Sequence, residues 1–247
     1  WVCEHYAEHG EAMLTAEPVV TDAARSYVRF DPLGTILAVM PWNFPFWQVF
    51  RFVAPALMAG NTALLKHASN VPRCALTIEE ILHRAGVPRG AFRSLLVPSS
   101  RIEELLASPA VKAVTLTGSE PAGSAVASAA GRLLKKTVLE LGGSDPFIVL
   151  EDADPLHAAS WAARARTVNS GQSCIAAKRF LVMEPLGDRF VAALQAEFEA
   201  LPVGDPLDRR TRVGPLARED LRRDLHAQVE ATVRRGATLV TGGKPVS

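Results

Sequence analysis

From Thr35 onward, short apolar runs alternate with longer stretches of helical period, and Pro, Gly or a charged residue closes each run. Thr35–Met40 is almost wholly apolar and ends at Pro41, which predicts a strand buried on both faces. Residues 45–59 are mostly apolar and of helical length, with Gly60 and Asn61 as the stop. Residues 62–66, 91–97, 113–117 and 137–141 repeat the strand signature. Helical patterns fall between them at 69–85, where Ser69 is placed to cap, at 101–108 and at 120–134. This β-α-β-α rhythm predicts a mostly parallel sheet with helices on both faces. Ligands of such sheets bind at the carboxyl ends of strands, and Pro41, Lys66, Thr117 and Glu140 fall there.

Gly142-Gly143 reads as a hinge to a second unit. The pattern then gives a strand at 147–150, a helix at 153–166 and a strand at 180–183. A helix at 218–235 and a strand-like run at 238–240 follow. No internal repeat or low-complexity segment interrupts this order.

Hydrophobic residues make up 48% of the 247, enough for one large or two smaller cores. Lys plus Arg number 27 against 26 Asp plus Glu, a net charge of +1, so nothing favours nucleic acid or an anionic membrane as partner. The arginines after Asp205 are interleaved with acids and read as solvated helix faces. Only Cys3, Cys74 and Cys174 carry thiols, an odd and sparse count that argues against a disulfide framework and for a reducing compartment. The apolar runs are too short to span a bilayer and no signal peptide is read, which makes a cytoplasmic location the expectation.

Three short islands carry chemistry. Asn169-Ser170-Gly171-Gln172-Ser173-Cys174 sets a thiol in a turn of small residues; Leu139-Glu140-Leu141-Gly142-Gly143 sets a carboxylate where an apolar strand gives out; Pro41-Trp42-Asn43-Phe44-Pro45 supplies an uncharged amide donor. Nucleophile, general base and oxyanion donor together suit attack on a carbonyl carbon. The backbone N–H of Cys174 is the natural second oxyanion donor. Burial of Glu140 would raise its pKa toward that of a useful base, while pairing with Lys135 or Lys136 is the plainer alternative. A buried structural thiol is the plainer alternative for Cys174 and a turn former for Asn43, and the full motifs around them weigh against both. Gly118-Ser119 leads into a helix whose N-terminus can receive a phosphate, with Ser119 either donating to it or merely capping. There is no Gly-x-Gly-x-x-Gly fingerprint. His5 and His9 with Glu8 fit His-x-x-Glu-His, a zinc-peptidase pattern, but no third ligand stands out, and no metal is expected.

On these islands the chain resembles the aldehyde dehydrogenase superfamily over nearly its whole length. The resemblance implies a Rossmann-like parallel-sheet cofactor domain over 1–142, followed by the first part of an α/β catalytic domain over 143–247. It also implies a chain about half as long as family members and lacking both ends. In that family the cysteine matching Cys174 attacks an aldehyde to give a thiohemiacetal. The nicotinamide then takes the hydride, and water, activated by the glutamate matching Glu140, hydrolyses the thioester. Asn43 matches the oxyanion amide. Met40, Pro41 and Trp42, with Leu141 and Gly142, match cofactor contacts, and Gly118, Ser119 and Gly123 match the family's Gly-Ser-x-x-x-Gly cofactor turn. Lys66 matches a ribose-binding lysine. NAD-selective members often carry a Glu where this chain has Ser69, so NADP is expected alongside NAD. Arg51, eight residues after Asn43, matches an arginine that binds the distal carboxylate in succinate-semialdehyde dehydrogenases. A surface or interdomain salt bridge is its alternative role. Phe44, Phe46, Trp47 and Ile175 would wall the substrate tunnel. A second arginine of some such enzymes is unmatched, since Val168 holds its place with Arg166 nearby. The resemblance implies a small aldehyde substrate and a homodimer or homotetramer for the complete protein. The isolated piece is expected to turn over little or nothing. Transfer of the acyl group to coenzyme A, and a non-catalytic cofactor-binding role, are the rival readings.

Overall fold

The computed structural model describes residues 1–246 and divides into two compact units, Trp1–Gly142 and a second from Gly143 onward. The first opens with α1 (Val2–Met13) and a short antiparallel pair, β1 (Glu17–Pro18) with β2 (Tyr27–Val28). Then β3 (Thr35–Met40), α2 (Trp47–Met58), β4 (Thr62–His67), α3 (Pro72–Arg84), β5 (Phe92–Ser94), α4 (Ile102–Ala107), β6 (Val111–Thr117), α5 (Glu120–Arg132) and β7 (Lys136–Glu140) follow. The last five strands form one sheet in the order β5-β4-β3-β6-β7, every neighbouring pair parallel. β3 lies at its centre. Alternation along the strands divides the core. Ala38, Met40 and Leu65 pack with Val53 of α2 and Ile78 of α3, whereas Leu37, Val114 and Leu116 belong with Leu106 of α4 and Val126 of α5. Both faces are therefore covered, as the sequence rhythm predicts.

In the second unit β8 (Asp145–Val149) pairs in parallel with β9 (Ala177–Val182). α6 (Pro155–Thr167) and α7 (Gly187–Glu199) pack on this pair around Val149, Ala159, Ala162 and Phe190, and α8 (Glu219–Arg234) buries no residue. Asp154 caps α6 by accepting from the Leu156 N–H at 3.0 Å.

Two local expectations fail. Residues 238–240 form no strand, and among the described residues no strand pairs with them. Ser69 does not cap a helix. It lies exposed in a turn, and α3 begins at Pro72, whose ring fixes the first helical φ while Val71 stays outside the helix with φ −129°.

Candidate active site

In the first unit the carboxyl edge of the sheet carries the candidate groups. After Met40 the chain turns through Pro41, Trp42, Asn43, Phe44 and Pro45, all half-buried, before α2 begins. His67, the last residue of β4, pins this loop. Its Nε2–H donates to the Pro45 carbonyl at 2.9 Å, and its Nδ1 accepts from the Ala68 N–H at 2.9 Å, with the Met40 carbonyl 3.3 Å away. These partners assign the neutral tautomer protonated at Nε2. Burial, helped by the charge of Lys66 next door, holds the imidazole below its ordinary value against the pull of the two carbonyls.

Helical period puts Gln48, Arg51 and Phe52 on one face of α2, where they line a cavity of about 500 Å³ with Met40, Thr117 and Glu140. Arg51 Nη2 donates to Thr117 Oγ1 at 3.3 Å, and Nη1 lies 3.6 Å from Glu140 Oε2. Gln48 is buried, and its Oε1 has no partner among the described residues. Phe46 and Trp47 are exposed.

Glu140 departs from expectation. Its side chain is 55% exposed, because β7 is an edge strand with four of its five positions exposed. Lys135 does not pair with it but donates to the carbonyls of Leu106 and Ser108. Lys136 makes no ion pair with it among the described residues, though both line the same cavity. Arg51 is the cation that Glu140 meets.

The same edge holds groups suited to a dinucleotide's phosphates. Lys66 is buried, donates from Nζ to Ser99 Oγ at 3.0 Å, and has its pKa lowered by that burial. A buried cation without a carboxylate is costly, and a phosphate would relieve it. Ser119 occupies the N-cap of α5, yet its side chain makes no capping bond, so its hydroxyl is not committed to the helix. Gly123 lies within α5. A Cβ there would meet Leu141 Cδ2 at 2.5 Å, so this glycine serves close packing of helix on strand end.

In the second unit Cys174 follows a turn in which Asn169, Ser170 and Gly171 are all left-handed, with φ of 52°, 54° and 76°. Arg166 Nη1 donates to the Gly171 carbonyl at 3.2 Å, which commits that arginine to the loop. Ser170 Oγ accepts from the Gly214 N–H at 3.0 Å, and Gln172 Oε1 accepts from the Ala217 N–H at 2.9 Å. Lys178 Nζ donates to the carbonyls of Cys174 at 2.8 Å and of Ser173 and Ala176 at 3.2 Å. Cys174 is a half-buried free thiol, and Ile175 is exposed.

The sequence reading missed Ser99, Thr117 as a partner of Arg51, Gln48, His67 and Lys178. His67 adjoins Lys66 and Lys178 follows the cysteine by four residues, yet the sequence does not show which carbonyls either would meet. On α1, His5 and His9 have ring centroids 4.8 Å apart, but no group of three metal-ligating side chains occurs among the described residues. No described helix is long and apolar enough to cross a membrane.

A parallel α/β sheet with a lysine and a helix N-terminus at its carboxyl edge, and a cysteine loop on a separate α/β unit, define the class. The chain belongs to the aldehyde dehydrogenase family, whose profile matches residues 1–247. A Synechocystis protein described as a probable succinate-semialdehyde dehydrogenase (NADP+) is 58% identical over 243 residues, covering 98% of this chain and 54% of that protein. The succinate-semialdehyde dehydrogenase (NADP+) of Mycobacterium avium is 55% identical over 245 residues, covering 98% of this chain and 52% of that protein. Among solved structures, the Streptococcus pyogenes succinic semialdehyde dehydrogenase in complex with NADP+ matches with a TM-score of 0.96 at 38% identity, over 100% of this chain and 54% of that one. The chain thus spans about half the length of the curated relatives it matches.

Proposed function

We propose that the protein oxidises succinate semialdehyde to the dicarboxylate with NADP+, accepting NAD+ as well, and that the unit ending at Gly142 binds the cofactor while the unit after it bears the nucleophile. Lys66 with Ser99, and the α5 N-terminus with Gly118 and Ser119, would hold the cofactor's phosphates. Met40, Pro41, Trp42, Leu141 and Gly142 are its further candidate contacts. When bound, the cofactor supplies the two-electron acceptor. Cys174, as its thiolate, attacks the aldehyde carbon, and Asn43 with the Cys174 N–H stabilises the oxyanion. Glu140 takes a proton from the water that hydrolyses the thioester, which favours water over coenzyme A as acyl acceptor.

The observation that carries the substrate reading is the Arg51 guanidinium in a largely apolar cavity. At 3.6 Å its approach to Glu140 is loose, and a substrate carboxylate binding through both oxygens is a better partner for that planar group. The relatives' names support the same aldehyde.

The test is nicotinamide reduction by the full-length protein with succinate semialdehyde, beside Cys174→Ala and Arg51→Ala. Cys174→Ala should abolish turnover. Arg51→Ala should raise KM by roughly 10- to 100-fold, the worth of one charge-assisted pair, with a smaller change in kcat. Oxidation of uncharged aldehydes alone would overturn the substrate assignment. Activity that survives loss of the thiol would overturn the mechanism.

A further inference from the structure

We propose that Lys178 is a positioning residue that aims and polarises the Cys174 N–H toward the oxyanion; this rests on the reading of Cys174 as the nucleophile. An ammonium has three protons, and here three carbonyls receive them: Cys174 at 2.8 Å, Ser173 and Ala176 at 3.2 Å. The head group is thus fully spent on three residues within the stretch 173–176, the candidate nucleophile among them. Its side chain is half-buried beside Ser173 and Ala176, both buried.

Peptide geometry turns this into a statement about donors. The peptide unit is planar and trans, so the N–H of one residue points opposite to the carbonyl of the residue before it. Holding the Ser173 carbonyl against the ammonium therefore points the Cys174 N–H away from Lys178. Holding the Cys174 carbonyl does the same to the Ile175 N–H. Neither N–H donates to an acceptor among the described residues, so both are left for a ligand. The ammonium also draws electron density toward each carbonyl, which makes the N–H on the far side of the same peptide a stronger donor.

The cation matters because this backbone does not hold itself. Asn169, Ser170 and Gly171 are consecutive left-handed residues, a conformation that costs non-glycine residues energy. Between that turn and β9 the loop is joined by a single backbone bond, Ala176 N–H to the Ser173 carbonyl at 3.3 Å, apart from the Gln172 N–H to the Asn169 carbonyl inside the turn. With an apolar side chain at 178, the 173–174 and 174–175 peptides lose their common anchor.

Full-length enzyme carrying Lys178→Met, Lys178→Gln and Lys178→Arg would be compared with the unaltered enzyme by kcat, aldehyde KM and the rate of Cys174 alkylation by iodoacetamide. Alkylation at saturated carbon builds no oxyanion, so it reports the thiol without the donor. Lys178→Met should lower kcat by roughly 30- to 100-fold, somewhat less than deleting an oxyanion donor outright. KM and the alkylation rate should move by less than about threefold, a split that loss of transition-state stabilisation predicts. Lys178→Arg, which keeps charge and donors, should recover most of the loss, and Lys178→Gln should fall between. An unchanged kcat in folded Lys178→Met overturns the proposal, and so does an equal fall in turnover and alkylation, which would show a general collapse of the loop. Should Lys178→Met fail to fold, the order Arg above Gln in kcat at constant alkylation rate decides, and its absence counts against the proposal. If the unaltered enzyme and Cys174→Ala turn over alike, the nucleophile reading itself has failed. If only the cysteine is needed, the role of Lys178 alone has.

Discussion

The two loops that carry the candidate chemistry are held by opposite means. The loop from Pro41 to Pro45 springs from the central strand of a five-stranded sheet, and a buried, neutral imidazole holds its far end. The loop from Asn169 to Ala176 precedes a strand of a two-stranded sheet; Arg166 and Lys178 gather its carbonyls, and the side chains of Ser170 and Gln172 accept from the Gly214 and Ala217 N–H groups. The first relies on desolvation and a rigid neighbour, the second on charge and a strained backbone. A loop on a large core needs few bonds to charged groups, because its ends are already ordered. A loop on a small core needs several charge-assisted bonds to limit its conformations.

The largest effect expected from breaking this contrast is at His67. His67→Ala removes the bond to Pro45 and leaves a cavity between β4 and the loop, so unfolding free energy should fall by ~2–4 kcal/mol. Urea denaturation followed by tryptophan fluorescence measures it. A loss below ~1 kcal/mol would mean that the loop is held elsewhere.

Gly171→Ala tests the other loop and should cost less, ~1–2 kcal/mol, as left-handed strain. The φ of 76° disfavours any side chain, and a Cβ would stand 3.2 Å from Arg166 Nη1 and 3.3 Å from the Arg166 carbonyl oxygen. The guanidinium can shift, but the carbonyl is backbone. Calorimetry of the variant should therefore show a lowered Tm. An unshifted Tm would remove the claim that this turn is under tension.

The sheet was legible in the sequence because its signal is local: apolar runs closed by Pro41, Gly60 and Gly118 mark strands and helices wherever they pack. Residues 238–240 misled because three β-prone residues need a partner strand, and sequence does not reveal its absence. Cys174 and Asn43 stood out because each sits in a turn of distinctive composition, and Glu140 because it ends an apolar strand just before Gly142-Gly143. The exposure of Glu140 was not legible, since nothing in Lys136–Glu140 says that β7 is the sheet's edge. His67 and Lys178 escaped for a different reason. Both act on backbone carbonyls, which every residue has, so no companion residue type accompanies them in the sequence.

The subtlest contrast is in pH. Burial lowers the folded-state pKa of His67 from 6.5, so in the window between 6.5 and that lowered value the unfolded chain binds more protons than the folded one. Stability therefore falls as pH drops below about 6.5 and stops falling, for this group, below the folded value. Protonation would also put a second proton on Nδ1, where the Ala68 N–H now donates, and set two hydrogens against each other. A measurement from pH 5 to about 8 spans the ordinary imidazole value. Unfolding free energies measured across that range should slope upward with pH in the unaltered protein and more weakly in His67→Gln, whose amide can still donate to the Pro45 carbonyl. Equal slopes in the two would show that His67 is not the group that titrates, and the distinction between a loop held by a neutral ring and a loop held by charge would lose its pH signature.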